Sequence, residues 1–207
     1  MRLHKPVIIA TLVLSSVAFC IDPPNPEILT MFFRERLSPE ATWVADSRII
    51  VLSGVDTSTG TGLDTLSSIS CGADFATEVS PFAPSLELLA EPVSLASTDF
   101  DSVKINKTRT RVNGIMCWKF KIYIGADLYS AFLSGDGLFR LMGMERKGRG
   151  KSKSDDRWEF DEVTKGKDLP IKITRTVEFE WGGEPVEIIS TRELTNFRPV
   201  APADNAR

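Results

Sequence analysis

Apolar and polar side chains alternate over long stretches of the C-terminal half of this chain. In residues 171–181 the large apolar side chains share one face of the pattern: Ile171, Ile173, Val177, Phe179 and Trp181. Residues 115–124 show the same arrangement: Trp118, Phe120, Ile122 and Ile124. Successive side chains of a strand point to opposite faces of a sheet, so this period of two predicts strands with one buried and one solvated face.

Further strands are predicted along the rest of the chain: from residue 43 to about residue 55, and at 92–97, 101–110, 127–134, 138–146, 157–164 and 185–197. Short turns rich in glycine and asparagine separate several of them, such as Asn113-Gly114 and Gly182-Gly183. Many strands in succession with tight turns indicate an antiparallel sheet, not a parallel βαβ sheet. The predicted fold class is mainly β (α+β): a strongly curved antiparallel meander sheet or incomplete barrel, packed on one or two helices.

One amphipathic helix is predicted before the first strand. Asn25-Pro26-Glu27 has an N-cap residue, a proline for the first turn and an acid at the positive end of the helix dipole. Residues at helical spacing follow: Ile28, Met31, Phe32 and Glu35. Residues 56–62 are predicted to form a flexible loop. From 63 to 90 the pattern is mixed, with a helical turn within 81–90.

The first twenty residues have the pattern of a signal peptide. Arg2 and Lys5 form a short basic region, and the apolar run from Val7 to Ala18 ends at a plausible cleavage site. The alternative is an uncleaved N-terminal anchor. Phe19 precedes Cys20 where a lipoprotein signal requires a small residue, which argues against lipidation. The predicted organisation is a signal peptide at 1–20, a single curved-sheet domain at 21–199 and a disordered tail at 200–207.

Charge and cysteine content restrict the partners and the compartment. Loss of Arg2 and Lys5 with the leader would take the formal net charge from −3 to −5, which disfavours nucleic acid as a partner. In an oxidising compartment Cys71 and Cys117 are a candidate disulfide. Two separate buried thiols are the alternative. The predicted location is extracytoplasmic: the periplasm or cell envelope in a bacterium, otherwise secretion. The sequence does not indicate an oligomeric state.

No catalytic motif emerges from the sequence. The only histidine is His4, within the predicted leader, so a mature chain would have none for acid–base catalysis, nucleophile activation or metal binding. Glu178 and Glu180 share a face, as the paired carboxylates of a carboxylate-based hydrolase would, but acids that alternate along an amphipathic strand usually form its solvated side. The basic stretch at 146–153 is interpreted as a solvated loop. We therefore predict no enzymatic activity, no cofactor and no metal.

The C-terminal half resembles a known superfamily. The relevant segments run in this order: Val112-Asn113-Gly114 leading into 117–120, the hairpin at 129–142, Trp158 to Val163, 168–171, and the final strand from Glu187 to Phe197. Together they are similar to the LolA/LolB superfamily of outer-membrane lipoprotein-sorting and lipid-binding proteins. The resemblance implies an incomplete barrel with helices against its opening, a hydrophobic cavity for acyl chains and no catalysis.

Two functional hypotheses follow from these patterns. The first is an exported, non-enzymatic envelope protein that binds a lipid or an acylated or lipoprotein partner in a half-barrel cavity. Its candidate lining residues are the apolar faces of two strands: Trp118, Phe120, Ile122, Ile173, Val177, Phe179 and Trp181. The alternative is a structural or interaction module of the envelope, in which the protein's own side chains fill the same sheet and no ligand binds.

Overall fold

One antiparallel sheet of ten strands makes up most of the part of the chain that the structure describes. The structure, a computed structural model, describes residues 23–37, 43–54, 56–66, 76–147 and 153–200, so the predicted leader and the tail beyond residue 200 lie outside it. The strands are β1 (Trp43–Ser53), β2 (Asp56–Leu66), β3 (Ser102–Ile105), β4 (Thr110–Val112), β5 (Ile115–Ile124), β6 (Asp127–Ser134), β7 (Leu141–Lys147), β8 (Lys153–Thr164), β9 (Lys167–Trp181) and β10 (Glu184–Pro199). The described helices are α1 (Pro26–Leu37), α2 (Ala76–Val79) and α3 (Leu86–Leu95).

The strand order is that of an open meander. It runs β2-β1-β10-β9-β8-β7-β6-β5-β3, with β4 also paired to β5. From β5 to β10 each strand pairs with the next in sequence, and β1 returns to pair with β10. The ends of this order do not pair with each other, so the sheet curves without closing. The predicted fold class is confirmed.

The prediction of a loop at 56–62 is wrong, because these residues belong to β2. They pair antiparallel with β1, from Ser53 opposite Asp56 to Trp43 opposite Leu66. Threonines at alternate positions suit a pleated strand, whereas the glycines between them had indicated a flexible loop. Pairing with a strand that has a buried face outweighed the local glycine signal.

The prediction of a strand at 92–97 is also wrong, since most of this segment belongs to α3. Ser85 is the N-cap: its side chain accepts a hydrogen bond from the Leu88 amide at 3.1 Å. The buried residues of α3 recur at helical spacing: Leu86, Leu89, Ala90, Pro92, Val93 and Leu95. A short apolar run does not by itself distinguish a helix from a buried strand, and Pro92 had obscured the helical period.

Helix α1 begins as predicted but buries a different face. The Glu27 amide donates to Oδ1 of Asn25 at 3.0 Å, which confirms the N-cap. The fully buried positions are Leu29, Phe33 and Leu37. Ile28 and Met31 are 43% and 55% exposed. The helix therefore has two apolar faces, and only contact with the sheet determined which of them became core.

The core lies between the concave face of the sheet and the helices. A large cluster joins α1 and α3 to the inward side chains of β1 and of β5 to β10. A smaller cluster lies beside it, where Ile49, Val51 and Ile188 contact Ala76 of α2 and the segment around Phe82. The helices therefore cover the concave face, which carries most of the predicted cavity residues.

Candidate functional site

Four of the seven predicted cavity residues lie deep in the concave core. Trp118 is 3% exposed, and three others are completely buried: Phe120, Ile122 and Ile173. The ring of Phe120 meets Phe33 of α1 edge-on, with centroids 5.7 Å apart. In this structure the helices therefore occupy the space that a ligand would need, and these four residues pack against the protein's own side chains.

The other three predicted residues lie along the outer part of β9. Val177 is half-buried, and Phe179 stacks on Phe82 with ring centroids 5.9 Å apart and planes at 9°. Phe179 and Val186 also border an open cavity of about 860 Å³ at the end of the β9–β10 hairpin. Trp181 is 75% exposed at the hairpin end and is not part of the buried face. Burial of the apolar side chains on β9 thus falls from Ile173, which is completely buried, to Trp181, which is mostly exposed.

Discrete polar contacts fasten α3 and the segment before it to the sheet. The indole Nε1–H of Trp158 donates to the Leu88 carbonyl at 3.0 Å. The Ser190 hydroxyl donates to the carbonyl of Phe82 at 2.8 Å. The buried guanidinium of Arg192 donates from Nη1 to the Pro84 carbonyl at 3.0 Å. These bonds fix the position of the covering helix, in addition to its apolar contacts.

A row of charged side chains crosses the concave face on three adjacent strands. Arg146 is paired with Asp156 in the sheet register, and Asp156 with Arg175. Asp156 accepts from Arg146 Nη2 at 2.6 Å, and its Oδ1 lies 3.5 Å from Nε of Arg175. We call Arg146, Asp156 and Arg175 the charged row. Asp156 has no exposed side-chain surface and lies between these two guanidinium groups.

Helix α3 adds a carboxylate to the charged row. Glu91 accepts from Nη1 of Arg146 through both carboxylate oxygens, at 2.6 and 2.9 Å, and also accepts from the Tyr129 hydroxyl. The Arg146 guanidinium lies 5.8 Å from the centroid of the Trp158 ring. The side chains of Arg146 and Glu91 are each 20% exposed, so this ion pair reaches solvent beside α3.

Burial is the largest single influence on the pKa of Glu91, Tyr129 and Arg146, but its effect prevails only for the first two. It raises the pKa of Glu91, and the Tyr129 hydrogen bond and the Arg146 charge offset that effect only in part. Burial and the nearby Glu91 carboxylate also raise the pKa of the Tyr129 hydroxyl, which therefore keeps its proton. The pKa of Arg146 is lowered by burial but raised more strongly by Asp156 and Glu91, so the guanidinium stays charged. The cluster thus combines fixed donors with one carboxylate that titrates above its ordinary range.

Sequence analysis did not identify the charged row. Arg146 was assigned to a solvated basic loop. The signal lay in the strand phase: Arg146 follows Met144 by two positions, Asp156 precedes Trp158 by two, and Arg175 follows Ile173 by two. A charged residue in register with buried apolar neighbours points inward, and inward charges on a strand mark a special site.

The cysteine prediction is only partly within the described chain. Cys117 is buried, its Sγ donates to the Ile115 carbonyl at 3.4 Å, and burial raises the pKa of its thiol. Cys71 lies outside the described residues, so the predicted pairing remains a prediction.

Among the described residues, no group of three or more His, Cys, Asp or Glu side chains is placed to hold a metal ion. No helix in the same part of the chain has the length and apolar character needed to cross a membrane.

Comparisons with known proteins show likenesses of structure only. No family model and no curated protein sequence matches the chain. A DUF1329 family protein from Desulfovibrio piger is similar to it with a TM-score of 0.50 and 11% identity, over 88% of this chain and 97% of that one. A LolA superfamily protein from Nitrosomonas europaea is similar with a TM-score of 0.46 and 14% identity, over 88% of this chain and 96% of that one. At these identities the likenesses concern the fold alone, and of the two only the first reaches a TM-score of 0.50, so the similarity to the LolA/LolB superfamily stays a resemblance.

Proposed function

We propose that this chain is an exported, non-enzymatic protein that binds an acyl chain, from a lipid or an acylated protein, between α3 and the concave face of the sheet. One observation carries the proposal. The apolar concave face is covered by a ten-residue helix whose backbone and flanking segment are fastened by a few hydrogen bonds, from Trp158, Ser190 and Arg192. The apolar face of α3 occupies the place that an acyl chain would take.

The energetics make such an exchange feasible. Removing a few hydrogen bonds from Trp158, Ser190 and Arg192 costs only about 0.5–1.5 kcal/mol each if the groups find new partners. An acyl chain that replaces Leu89 and Val93 against the sheet would regain about 0.8 kcal/mol for each CH₂ group that it buries. The sequence resemblance to the LolA/LolB superfamily and the pattern of the first twenty residues support the same class of ligand and an extracytoplasmic location.

The second candidate is the envelope module with a filled core. It is favoured by the complete burial of Phe120, Ile122 and Ile173 against α1 and α3, which leaves no open space at these positions. In that case α3 would be a permanent part of the core, and the protein would act through its surface.

Tryptophan quenching by a brominated fatty acid separates the two candidates. Trp158 is buried under α3, whereas Trp181 is exposed at a hairpin end, so the pair provides a site variant and a matched control. If the chain enters beneath α3, bound ligand should quench parent fluorescence strongly. The Trp158→Phe variant should lose most of that quenching, whereas Trp181→Phe should keep it.

Native mass spectrometry of protein from its own host provides the second measurement. We expect a bound lipid mass that disappears after delipidation and returns on incubation with fatty acid. Absence of bound lipid together with no quenching in the parent protein would overturn the proposal and leave the module with a filled core.

A further inference from the structure

Glu91 occupies its site in the way that an anionic ligand would. Both of its carboxylate oxygens lie within 3 Å of one guanidinium nitrogen of Arg146, and the Tyr129 hydroxyl donates to one of them. Arg146 and Tyr129 belong to the sheet, whereas Glu91 belongs to the helix that covers it. The donors are therefore fixed in the scaffold, and the acceptor is carried by the element that the proposed function requires to move.

The net charge of the cluster changes when α3 moves away and takes Glu91 with it. With Glu91 in place, the two guanidinium groups of Arg146 and Arg175 face the two carboxylates of Glu91 and Asp156, and the cluster is neutral. Without Glu91, two positive charges face the single carboxylate of Asp156, which leaves a net charge of +1. Oδ1 of Asp156 and Nε of Arg175 make no hydrogen bond within the described part of the chain, so the charged row is incompletely satisfied even when α3 is in place.

An apolar pair at the position of Glu91 and Arg146 would fasten a helix at least as well. Buried ion pairs are often no more stabilising than well-packed hydrophobic residues, because desolvation offsets their attraction. An arginine–carboxylate contact between α3 and the sheet is therefore not needed merely to hold the helix in place. It is suited to the recognition of an anion, since a guanidinium presents several donors in a fixed plane.

We propose that Glu91 is an internal substitute for the anionic head group of the ligand. When an acyl chain ending in a carboxylate or phosphate binds, α3 withdraws Glu91, and the head group takes its place on Arg146 and Tyr129. The acyl chain then lies along the apolar concave face beyond Trp158. This inference rests on the proposed function and specifies its ligand class: single-chain amphiphiles with one anionic end.

The experiment compares dodecanoate with 1-dodecanol, which share a chain length and differ in head-group charge. Binding is measured by displacement of a fluorescent fatty-acid probe at about pH 8, where carboxylates are ionised. We expect the parent protein to bind dodecanoate at least about tenfold more tightly than dodecanol, because charge-assisted hydrogen bonds are the strong ones. Dodecyl phosphate is the third ligand, and its affinity relative to dodecanoate shows which anionic head group is preferred.

Three variants test the role of Glu91. Glu91→Gln removes the competing charge with little change of shape, and we expect dodecanoate affinity to rise about tenfold. Dodecanol affinity should rise with it, because α3 withdraws Glu91 for either chain, so the preference for dodecanoate persists. Glu87→Gln makes the same charge change at an exposed position of the same helix and should alter neither. Tyr129→Phe removes one donor to the head group and should reduce the preference for dodecanoate over dodecanol, which keeps the test available if Glu91→Gln folds poorly.

The outcomes separate the head-group inference from the proposed function. Equal affinity of the parent for dodecanoate and dodecanol would overturn the inference and leave acyl-chain binding intact. A Tyr129→Phe variant that keeps the full preference for dodecanoate would show that this hydroxyl does not hold the head group, which also overturns it. Failure of all three amphiphiles to bind to parent and variants would overturn the proposed function and the inference together.

Discussion

Trp158 donates its indole N–H to the main-chain carbonyl of Leu88, at the point where helix α3 lacks an internal donor. In an α-helix the Leu88 carbonyl would accept from the amide of residue 92, but that residue is Pro92, which has no N–H. A side chain from β8 thus replaces a missing helical hydrogen bond. Pro92 would weaken an isolated helix, but here the carbonyl that it leaves without a donor accepts the hydrogen bond that joins α3 to the sheet.

The first prediction is that Trp158 and Pro92 are energetically coupled. Trp158→Phe should destabilise the parent protein because it leaves the Leu88 carbonyl without a donor, at a cost of about 1–3 kcal/mol beyond lost packing. Pro92→Ala restores an amide that can donate to that carbonyl. The same Trp158→Phe change in the Pro92→Ala background should therefore cost less, by about 1–2 kcal/mol.

Chemical denaturation of the four proteins of this double-mutant cycle measures the coupling. Trp181→Phe, at an exposed tryptophan, provides the control and should show no coupling to Pro92→Ala. Additive effects of Trp158→Phe and Pro92→Ala would contradict the role assigned to the indole N–H.

The second prediction compares a completely buried side chain at the centre of the sheet with a half-buried one on the outer part of β9. Phe120→Ala should destabilise the protein by about 3–5 kcal/mol, because the residue is completely buried and leaves a cavity. Phe179→Ala should cost only about 1–2 kcal/mol, since that ring is half-buried and borders an open cavity. Thermal or urea unfolding of the two variants gives the comparison. Equal losses would show that the outer part of β9 is as closely packed as the centre.

The third prediction is a pH dependence of stability due to Glu91. Burial raises its pKa in the folded state above the 4.5 of an exposed glutamate, against the opposing effects of Tyr129 and Arg146 and with support from Asp156 and Asp127. Where the folded state binds the proton more tightly, the free energy of unfolding falls as pH rises. The parent protein should therefore lose stability relative to Glu91→Gln as the pH rises from 4.5 through the raised pKa.

Urea unfolding of parent and Glu91→Gln at a series of pH values measures this difference. Glu87→Gln controls for a general effect of charge on α3. A parent protein that gains stability relative to Glu91→Gln with rising pH would mean that the Arg146 pairing outweighs burial.

The fourth prediction is removal of the leader on export. The mature N-terminus should lie just after Ala18, near Phe19 or Ile21, because small residues at Ser16 and Ala18 form the predicted cleavage site. N-terminal sequencing of protein from its own host tests this. Mature protein that begins at Met1 would contradict cleavage and favour the uncleaved anchor.

The fifth prediction concerns Cys71 and Cys117. If the compartment is oxidising and the two are bridged, thiol titration of denatured, unreduced protein should find neither of them free. Two reactive thiols in host-derived protein would establish the alternative of two separate cysteines.

The sequence alone determined the alternating strands, because burial of one face of a sheet imposes a period of two that needs no knowledge of partners. The buried positions on β5 and β9, such as Phe120, Ile122 and Ile173, follow from that rule, and so does the antiparallel order indicated by the short turns. The start of α1 at Asn25 was also determined locally, because an N-cap satisfies backbone amides within its own turn.

Only the tertiary structure decided what covers the sheet and where its charges lie. The strand β2 depends on pairing with β1, since its own residues, rich in glycine and threonine, indicate a loop. Helix α3 depends on Trp158, a residue 70 positions from Leu88 that supplies the bond which Pro92 cannot. Arg146 and Glu91 lie 55 positions apart and meet only when the helix is placed over the sheet. Local patterns encode periodicity, whereas a contact between distant residues exists only after the chain has folded.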